Sequence, residues 1–277
     1  MRLRELRAEG GLTGRQLADR LGWTQSKVSK LENGKQTATA EDLAAWAAGT
    51  DQEGAADELT ARLRVLESHS RSWRRQLAAG HRPVQDRLTA EYKQSRTLRA
   101  WQGSTVVGML QTADYARHIF TGQVELHRSP RDIEDAVRAR MRRQESLYDP
   151  GKHYHIVMWE AVLRAQLCPP SVMAAQLDRL TGAIGLDTVT LGIVPFSAQL
   201  KLPPANGFWL YDERLVIAED WHAELWIDDA DNVATYLRAW SMLADSAVYG
   251  ADAHSVIARC RRAVPKNHDE PRSQSPE

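Results

Sequence analysis

The sequence predicts a mainly α-helical protein whose C-terminal part is an α+β domain. Short amphipathic helical segments follow one another in residues 3–48, and strand-like runs alternate with helical ones after residue 150. The 277 residues are about the length of two domains. We expect a helical domain over residues 1–50, a helical linker over residues 51–82, an α+β domain over residues 83–263 and a disordered tail over residues 264–277.

Composition excludes several classes of protein. The chain is 43% hydrophobic and 26% charged, which is ordinary usage for a globular protein. Apolar runs such as residues 156–159 are too short to span a bilayer, and the charged first residues do not resemble a signal peptide. Two cysteines far apart, Cys168 and Cys260, provide neither a disulfide framework nor a zinc finger. We therefore expect a cytoplasmic protein with no membrane contact.

Charge is unevenly distributed along a chain whose formal net charge is zero. Residues 62–99 hold ten Arg and Lys against three acidic residues, whereas residues 185–235 hold nine acidic residues against two basic ones. Such a pattern indicates a surface that faces a polyanion, two faces that pair with each other, or simply solvated helix faces. The sequence leaves these three interpretations open.

The N-terminal helices have recognisable ends. Gly10 and Gly11 end the first helix, and Thr13, Thr24 and Thr39 are the expected N-caps of the next three. The apolar residues of these helices recur at helical spacing and are expected to form one core: Leu3, Leu6, Leu17, Ala18, Leu21, Val28, Leu31, Leu43, Trp46 and Ala47.

Residues 16–32 have the anatomy of a helix-turn-helix. Ala18 is small enough for a second helix to pack closely against it, and Gly22, four positions later, tolerates the positive φ of the turn. The polar residues left facing outward carry amide, hydroxyl and amine groups, which read base edges and bind phosphate: Gln25, Ser26, Ser29 and Lys30. The alternative interpretation is an ordinary hairpin of two helices.

Several motifs resemble one family. Residues 3–48 resemble the lambda-repressor-like Cro/XRE type of helix-turn-helix, and residues 21–34 (LGWTQSKVSKLENG) are especially similar to an actinomycete group, WhiJ-like and antitoxin-like, that carries a C-terminal domain of unknown function. Residues 107–117 (VGMLQTADYAR) resemble that group's VPGLLQTxxYAR signature. Residues 137–145 are similar to its RxARQ helix, and residues 194–196 to its LPF strand end.

The resemblance implies a regulator that binds double-stranded DNA as a homodimer. It places four side chains in the major groove, namely Gln25, Ser26, Ser29 and Lys30. It places four others at phosphates, namely Arg15, Gln16, Asn33 and Lys35, and Thr24 and Lys27 complete the DNA-binding set. Gly14 stands where many relatives have a glutamine that contacts the DNA backbone, so that contact is not expected here.

The remaining chain predicts further elements. Leucines and a tryptophan at helical spacing predict a long helix that docks on the C-terminal domain or on a second subunit: Leu59, Leu63, Leu66, Trp73 and Leu77. Further helices are predicted over residues 83–95, 111–120, 130–147, 172–184, 232–247 and 253–262. Strands are predicted over residues 153–159, 189–196, 208–211, 215–218 and 222–227.

The sequence carries no familiar catalytic motif. Gly103–Gly108 has the glycine spacing of a phosphate-binding loop but lacks its lysine, and no nucleophile elbow or zinc-protease motif occurs. His153 and His155 alternate on a predicted strand and could be metal ligands, although two histidines without a third are more often packing residues. We therefore expect no enzyme activity, no cofactor and no metal.

The C-terminal domain is expected to receive a small-molecule or protein signal. Its tryptophans fill a core or line an apolar pocket, and both interpretations stay open. The residues proposed to meet a ligand or partner are Trp101, Gln111, Tyr115, Trp159 and Trp209. Two alternatives are an antitoxin-like protein that neutralises a small partner encoded nearby while regulating its own promoter, and an enzyme with a DNA-binding appendage.

Overall fold

The computed structural model describes residues 2–33, 36, 38–60 and 70–265. The chain divides into two compact units, residues 1–70 and residues 71–277. The first is helical and the second combines a mixed sheet with helices, so the predicted fold class is confirmed. Leu63, Leu66, Lys35 and most of the predicted tail lie outside the described residues. No helix in the described ranges is long and apolar enough to cross a membrane.

The N-terminal unit contains the expected helices, α1 (Arg2–Glu9), α2 (Gly14–Leu21), α3 (Gln25–Glu32) and α4 (Ala40–Gly49), and α5 is described over residues 55–60. All three predicted threonine N-caps are confirmed. The Thr13 hydroxyl accepts from the backbone N–H of Gln16 at 3.2 Å, and the Gln16 side chain accepts from the Thr13 N–H at 2.8 Å. Gly22 ends α2 with φ of +65°, the left-handed conformation that its position in the motif predicts.

One apolar core holds these helices together. Leu6, Leu17 and Val28 are buried beside Leu43 and Trp46, and Ala18 is buried where α2 meets α3. The Trp46 indole N–H donates to the carbonyl of Leu3 at 3.1 Å, so the largest core side chain is also hydrogen-bonded. The helix-turn-helix geometry therefore follows from burial of the residues that the periodicity selects.

The C-terminal unit is built on a seven-stranded sheet in the order β1-β7-β6-β5-β2-β3-β4. Its strands are β1 (Ser70–Ser72), β2 (Thr97–Gln102), β3 (His153–Trp159), β4 (Val189–Val194), β5 (Phe208–Tyr211), β6 (Leu215–Glu219) and β7 (Ala223–Ile227). Strands β2, β3 and β4 are parallel, and β5 to β7 are antiparallel. The five predicted strands are confirmed. The edge strand β1 and the inner strand β2 were not predicted; in β2 the polar–apolar alternation spans only Thr97 to Ala100 and ends at Trp101.

Helices cover both faces of this sheet. They are α6 (Trp73–Gln76), α7 (Arg82–Gln94), α8 (Ala113–His127), α9 (Ile133–Arg143), α10 (Glu160–Arg164), α11 (Pro170–Ala183), α12 (Ala230–Ala244) and α13 (Gly250–Ala263), with 3-10 turns at Gly108–Leu110 and Gln144–Tyr148. Side chains of α7, α11 and α13 pack on one face, and those of α12 pack on the other.

The single long helix predicted through Leu59 and Leu77 is wrong in its second half. Residues 70–72 are extended as β1, and α6 is a separate turn of helix that starts at Trp73. The Trp73 N–H donates to the carbonyl of His222 at 3.0 Å, and its indole donates to the carbonyl of Asp220 at 2.7 Å. Pairing at the edge of the sheet therefore overrides a local helical pattern.

Candidate nucleic-acid interface and interior cavity

The outward face of α3 is polar throughout. Gln25, Ser26, Ser29 and Lys30 are all exposed, whereas Val28 and Leu31 on the opposite side are buried. Because the helical repeat is 3.6 residues, these four positions lie together on one side of the helix. We call them the α3 polar face. It offers amide, hydroxyl and ammonium groups to a partner without disturbing the core.

Lys27 has a partner inside the N-terminal unit. Its Nζ lies 2.7 Å from Oδ1 of Asp42 and 3.8 Å from the centre of the Trp23 ring. Burial opposes ionisation of Asp42, but hydrogen bonds from Lys27 and from the Thr39 N–H outweigh it and lower its pKa. The ammonium of Lys27 therefore ties α3 to α4 in this structure.

The side chains expected to contact phosphates differ in whether they already have hydrogen-bond partners within the N-terminal unit. Arg15 and Thr24 are exposed, but the side-chain oxygen of Gln16 accepts from the Thr13 N–H at 2.8 Å and so caps α2. The Asn33 amide donates to the carbonyl of Ser29 at 2.8 Å, and its oxygen accepts from Arg4 at 2.6 Å. Lys35 lies outside the described residues.

The C-terminal unit encloses a cavity of about 120 Å³ between the sheet and helices α7, α8 and α9. Its charged lining comes from two directions. Arg140 and Arg143 project from α9, whereas Glu219 and Glu224 project from the ends of β6 and β7. We call this space the charged cavity.

Desolvation shifts the pKa of two of these groups, Arg140 and Glu219. Burial lowers the pKa of Arg140 to about 9, and the neighbouring Arg143 lowers it further in the same direction. Glu219 is exposed as a residue, but desolvation of its carboxyl where it lines the cavity raises its pKa from an ordinary value of 4.5 to about 7, with a contribution from the carboxylate of Glu224. Arg140 and Arg143 lower the pKa of Glu219, but by less than desolvation and Glu224 raise it.

Replacing Glu219 by glutamine is expected to alter the pH dependence of stability. An acid whose pKa is raised by folding binds more protons in the native state, so the free energy of unfolding falls as pH rises from about 4.5 through 7. Glu219→Gln removes this loss. Urea titrations of both proteins across this range should diverge, with the variant relatively more stable at the higher pH. A difference that stays constant with pH would contradict the assignment.

Two family models match the chain. The model described as "Domain of unknown function (DUF5753)" matches residues 84–259, which is well over half of the sequence. The protein belongs to the DUF5753 family. A second model, described as "Helix-turn-helix domain", matches residues 1–63. The helix-turn-helix domain makes this DUF5753 protein a DNA-binding regulator, and a DNA partner follows from the same domain.

Other comparisons of this DUF5753 protein add little. No curated protein matches the chain. NucT from Helicobacter pylori is 12% identical, with a TM-score of 0.37 over 61% of this chain and 92% of that one. Nuc from Salmonella typhimurium, a phospholipase D family member, is 10% identical, with a TM-score of 0.34 over 60% and 90%. TrmBL2, an archaeal chromatin protein, is 14% identical, with a TM-score of 0.31 over 86% and 88%. These scores are too low to establish a common fold.

The DUF5753 domain separates the three tryptophans expected to meet a ligand. In the antiparallel pair of β2 and β5, Trp101 lies opposite Phe208, and Ala100 lies opposite Trp209. Because successive side chains of a strand point to opposite faces, Trp101 packs under α12 with Trp159 beside it, and Trp209 packs on the other face. Trp209 alone of the three lines the charged cavity.

Gln111 lines the charged cavity, whereas Tyr115 is not part of its lining. The Gln111 oxygen accepts from Arg140 at 2.5 Å, and its amide donates to the carbonyl of Val106 at 2.7 Å. Tyr115 is fully buried, and its hydroxyl accepts from the Val106 N–H at 3.3 Å. The amide of Gln144 donates to the carbonyl of Gln111 at 2.7 Å. Two motifs that are far apart in the sequence of the DUF5753 domain thus meet beside the cavity.

Four charged residues of the DUF5753 cavity were missed by sequence reasoning. Arg140 and Arg143 belong to the segment that resembles the RxARQ helix, and their spacing of three residues on a helix flanked by Ala136 and Ala139 was a usable signal. No local pattern pairs Glu219 with Glu224, because only strand pairing brings the two together.

The remaining candidate ligands in the DUF5753 domain pack within it. His155 contacts Trp240 and Tyr249 with ring-centroid distances of 4.5 and 5.5 Å, and its Nε2 is 3.1 Å from the Tyr249 hydroxyl. Burial lowers the pKa of His155 to about 4. Among the described residues no three His, Cys, Asp or Glu side chains come together as a metal site.

The basic and acidic segments meet within the C-terminal unit. Arg87 lies 3.9 Å from Glu224, Arg99 lies 3.8 Å from Glu213, and in the reverse sense Arg214 lies 2.6 Å from Glu91. Part of the charge asymmetry is therefore used in pairing inside the DUF5753 domain, which was one of the three interpretations left open.

Proposed function

We propose that the protein is a cytoplasmic transcriptional regulator that binds its operator as a homodimer and changes its DNA affinity when the DUF5753 domain binds a signal. The α3 polar face is the observation that carries the DNA-binding part, because its four exposed side chains stand on a buried, capped scaffold. The proposal assigns the C-terminal domain recognition and no catalytic step. XRE-type membership of the N-terminal domain is part of the same proposal.

The homodimer is proposed because one such helix makes few base contacts. Domains of this type read paired half-sites about one helical turn apart. Sedimentation of the free protein and of its DNA complex should therefore give two chains per operator. Inserting about five base pairs, half a helical turn, between the half-sites should abolish tight binding. Binding that is indifferent to this insertion would contradict a fixed dimer.

Alanine substitutions on the α3 polar face are expected to weaken operator binding. Genomic fragments selected with the purified full chain supply the operator. Lys30→Ala and Gln25→Ala should each cost about 1–3 kcal/mol if each side chain reads a base edge. Fluorescence anisotropy with labelled operator measures this loss.

Glu41→Gln is the matched control, because Glu41 is exposed at the start of α4 and lies outside the α3 polar face. Its affinity should equal that of wild type. If Lys30→Ala and Gln25→Ala also bind the operator like wild type, α3 is not the reading helix.

The signal is proposed to be a small molecule because the DUF5753 domain contains a charged interior cavity. A ligand can change DNA affinity only by the difference in its own affinity for the two states, typically about 1–3 kcal/mol. Anisotropy titrations with and without cell-extract fractions below and above a small molecular-mass cut-off test this. Activity confined to the high-mass fraction would instead favour a protein partner.

A further inference from the structure

No close ion pair among the described residues neutralises the two arginines of the charged cavity, although Glu219 attracts Arg140 from a distance. Arg140 and Arg143 stand three residues apart, so both point to the same side of α9. Arg140 donates to the oxygens of Gln85 and Gln111, and Arg143 donates to the carbonyl of Gln85 at 3.2 Å. Within the described residues neither guanidinium forms an ion pair.

One nitrogen of these two arginine side chains also lacks a hydrogen bond within the described part of the chain. The Arg143 side chain is buried, and its Nε has no partner among the described residues. A buried cation is strongly destabilising unless it is paired and hydrogen-bonded. Two adjacent unpaired guanidiniums that face one cavity therefore favour an anion arriving from outside.

The opposite wall carries the complementary charge. Glu219 and Glu224 are direct neighbours across β6 and β7, so both point to the same face of the sheet. Glu224 is fully buried. Its Oε2 accepts from the Trp226 indole at 2.9 Å and lies 3.9 Å from Arg87, whereas its Oε1 has no hydrogen-bond partner among the described residues. An unpartnered carboxylate oxygen accepts a hydrogen bond from an ammonium or another donor.

Aromatic, aliphatic and amide side chains form the rest of the wall, and the size of the cavity limits the size of an occupant. The Tyr92 and Trp209 rings meet edge to face at 5.9 Å, and the Arg140 guanidinium lies 4.2 Å from the centre of the Phe120 ring. An apolar cavity of about 150 Å³ holds a benzene molecule. A space of about 120 Å³ therefore suits a molecule of about four to six non-hydrogen atoms, and longer probes must extend toward solvent.

A second, more open depression borders the charged cavity. This depression of about 420 Å³ shares Trp73, Gln102 and Glu219 with the charged cavity. Trp221 lines the depression and is 78% exposed. Glu219 therefore lines both the charged cavity and the depression that opens to solvent.

We propose that the charged cavity binds a small zwitterion, with its anionic group held by Arg140 and Arg143 and its ammonium held by Glu219 and Glu224. This proposal rests on the proposed function in one respect only, namely that the bound zwitterion is the signal that changes DNA affinity. Binding itself does not require DNA, so the two ideas are tested separately.

The probes are unbranched ω-amino acids from glycine to 5-aminovalerate, the common α-amino acids, and inorganic phosphate. Each zwitterion is matched by the carboxylic acid that lacks its amine and by the amine that lacks its carboxylate. Calorimetric titration and thermal unfolding of the full chain, without DNA, report binding. We expect at least one zwitterion to bind at millimolar concentration or below, and each of its two halves to bind at least about tenfold more weakly.

Three variants locate the site. Arg143→Gln and Glu219→Gln should each lose most of the binding. Arg142→Gln is the control, because Arg142 is the exposed neighbour on α9 and lies outside the cavity lining. If Arg143→Gln fails to fold, the nearly isosteric Glu219→Gln still decides the question.

Three results would overturn the proposal. One is that no probe stabilises or binds the wild-type chain. Another is that phosphate or the carboxylic acids bind as well as the zwitterions, which would make this a simple anion site. The third is that binding survives in both Glu219→Gln and a folded Arg143→Gln. Operator affinity measured in parallel without probe reports on the proposed function, so a failure of one is distinguishable from a failure of the other.

Discussion

Trp46→Ala is expected to unfold most of the N-terminal domain and abolish operator binding. Trp46 is completely buried, packs near Trp23 with a ring-centroid distance of 6.1 Å, and donates a hydrogen bond to Leu3. Truncating a buried tryptophan costs about 3–5 kcal/mol, which is a large part of the stability of an ordinary domain. Hydrogen exchange should show loss of protection at amides of α2 and α4, while the sheet of the C-terminal unit keeps its protection. A loss below about 1 kcal/mol would contradict the described core.

Trp101→Ala is expected to destabilise the C-terminal unit by a similar amount. Trp101 is completely buried at the centre of the sheet, and its indole donates to the carbonyl of Ala205 at 3.2 Å. The truncation should therefore cost about 3–5 kcal/mol, measured by urea unfolding. Because Trp101 lies on the face opposite the charged cavity, probe binding by the folded fraction should be unchanged. If Trp101→Ala stays stable but loses probe binding, the result would support the ligand contact predicted for Trp101 from the sequence.

The same control serves both substitutions. Trp221→Ala removes an identical side chain from a position that is 78% exposed. A surface truncation of this kind usually changes stability by less than about 0.5 kcal/mol. Equal losses in Trp221→Ala and either buried variant would mean that removal of an indole, and not burial, determines the cost.

The sequence alone determined the N-terminal unit almost completely. Thr13, Thr24 and Thr39 act as N-caps, Gly22 has a positive φ, and the apolar residues of each helix are buried as their spacing predicts. This success has a local cause. Caps, turn glycines and helical periodicity act over four residues or fewer, so the information lies within the segment that uses it.

Only the tertiary structure decided which side chains of the C-terminal unit lie together. The sequence predicted five of its seven strands but neither the edge strand β1 nor the inner strand β2, whose alternation is short. It could not show that Trp101 and Trp209 point to opposite faces, because that depends on the register between β2 and β5. Nor could it bring Glu219 and Glu224 against Arg140 and Arg143, since the two pairs are about eighty residues apart in the chain. Long-range strand pairing and helix packing set these positions, and no local pattern records them.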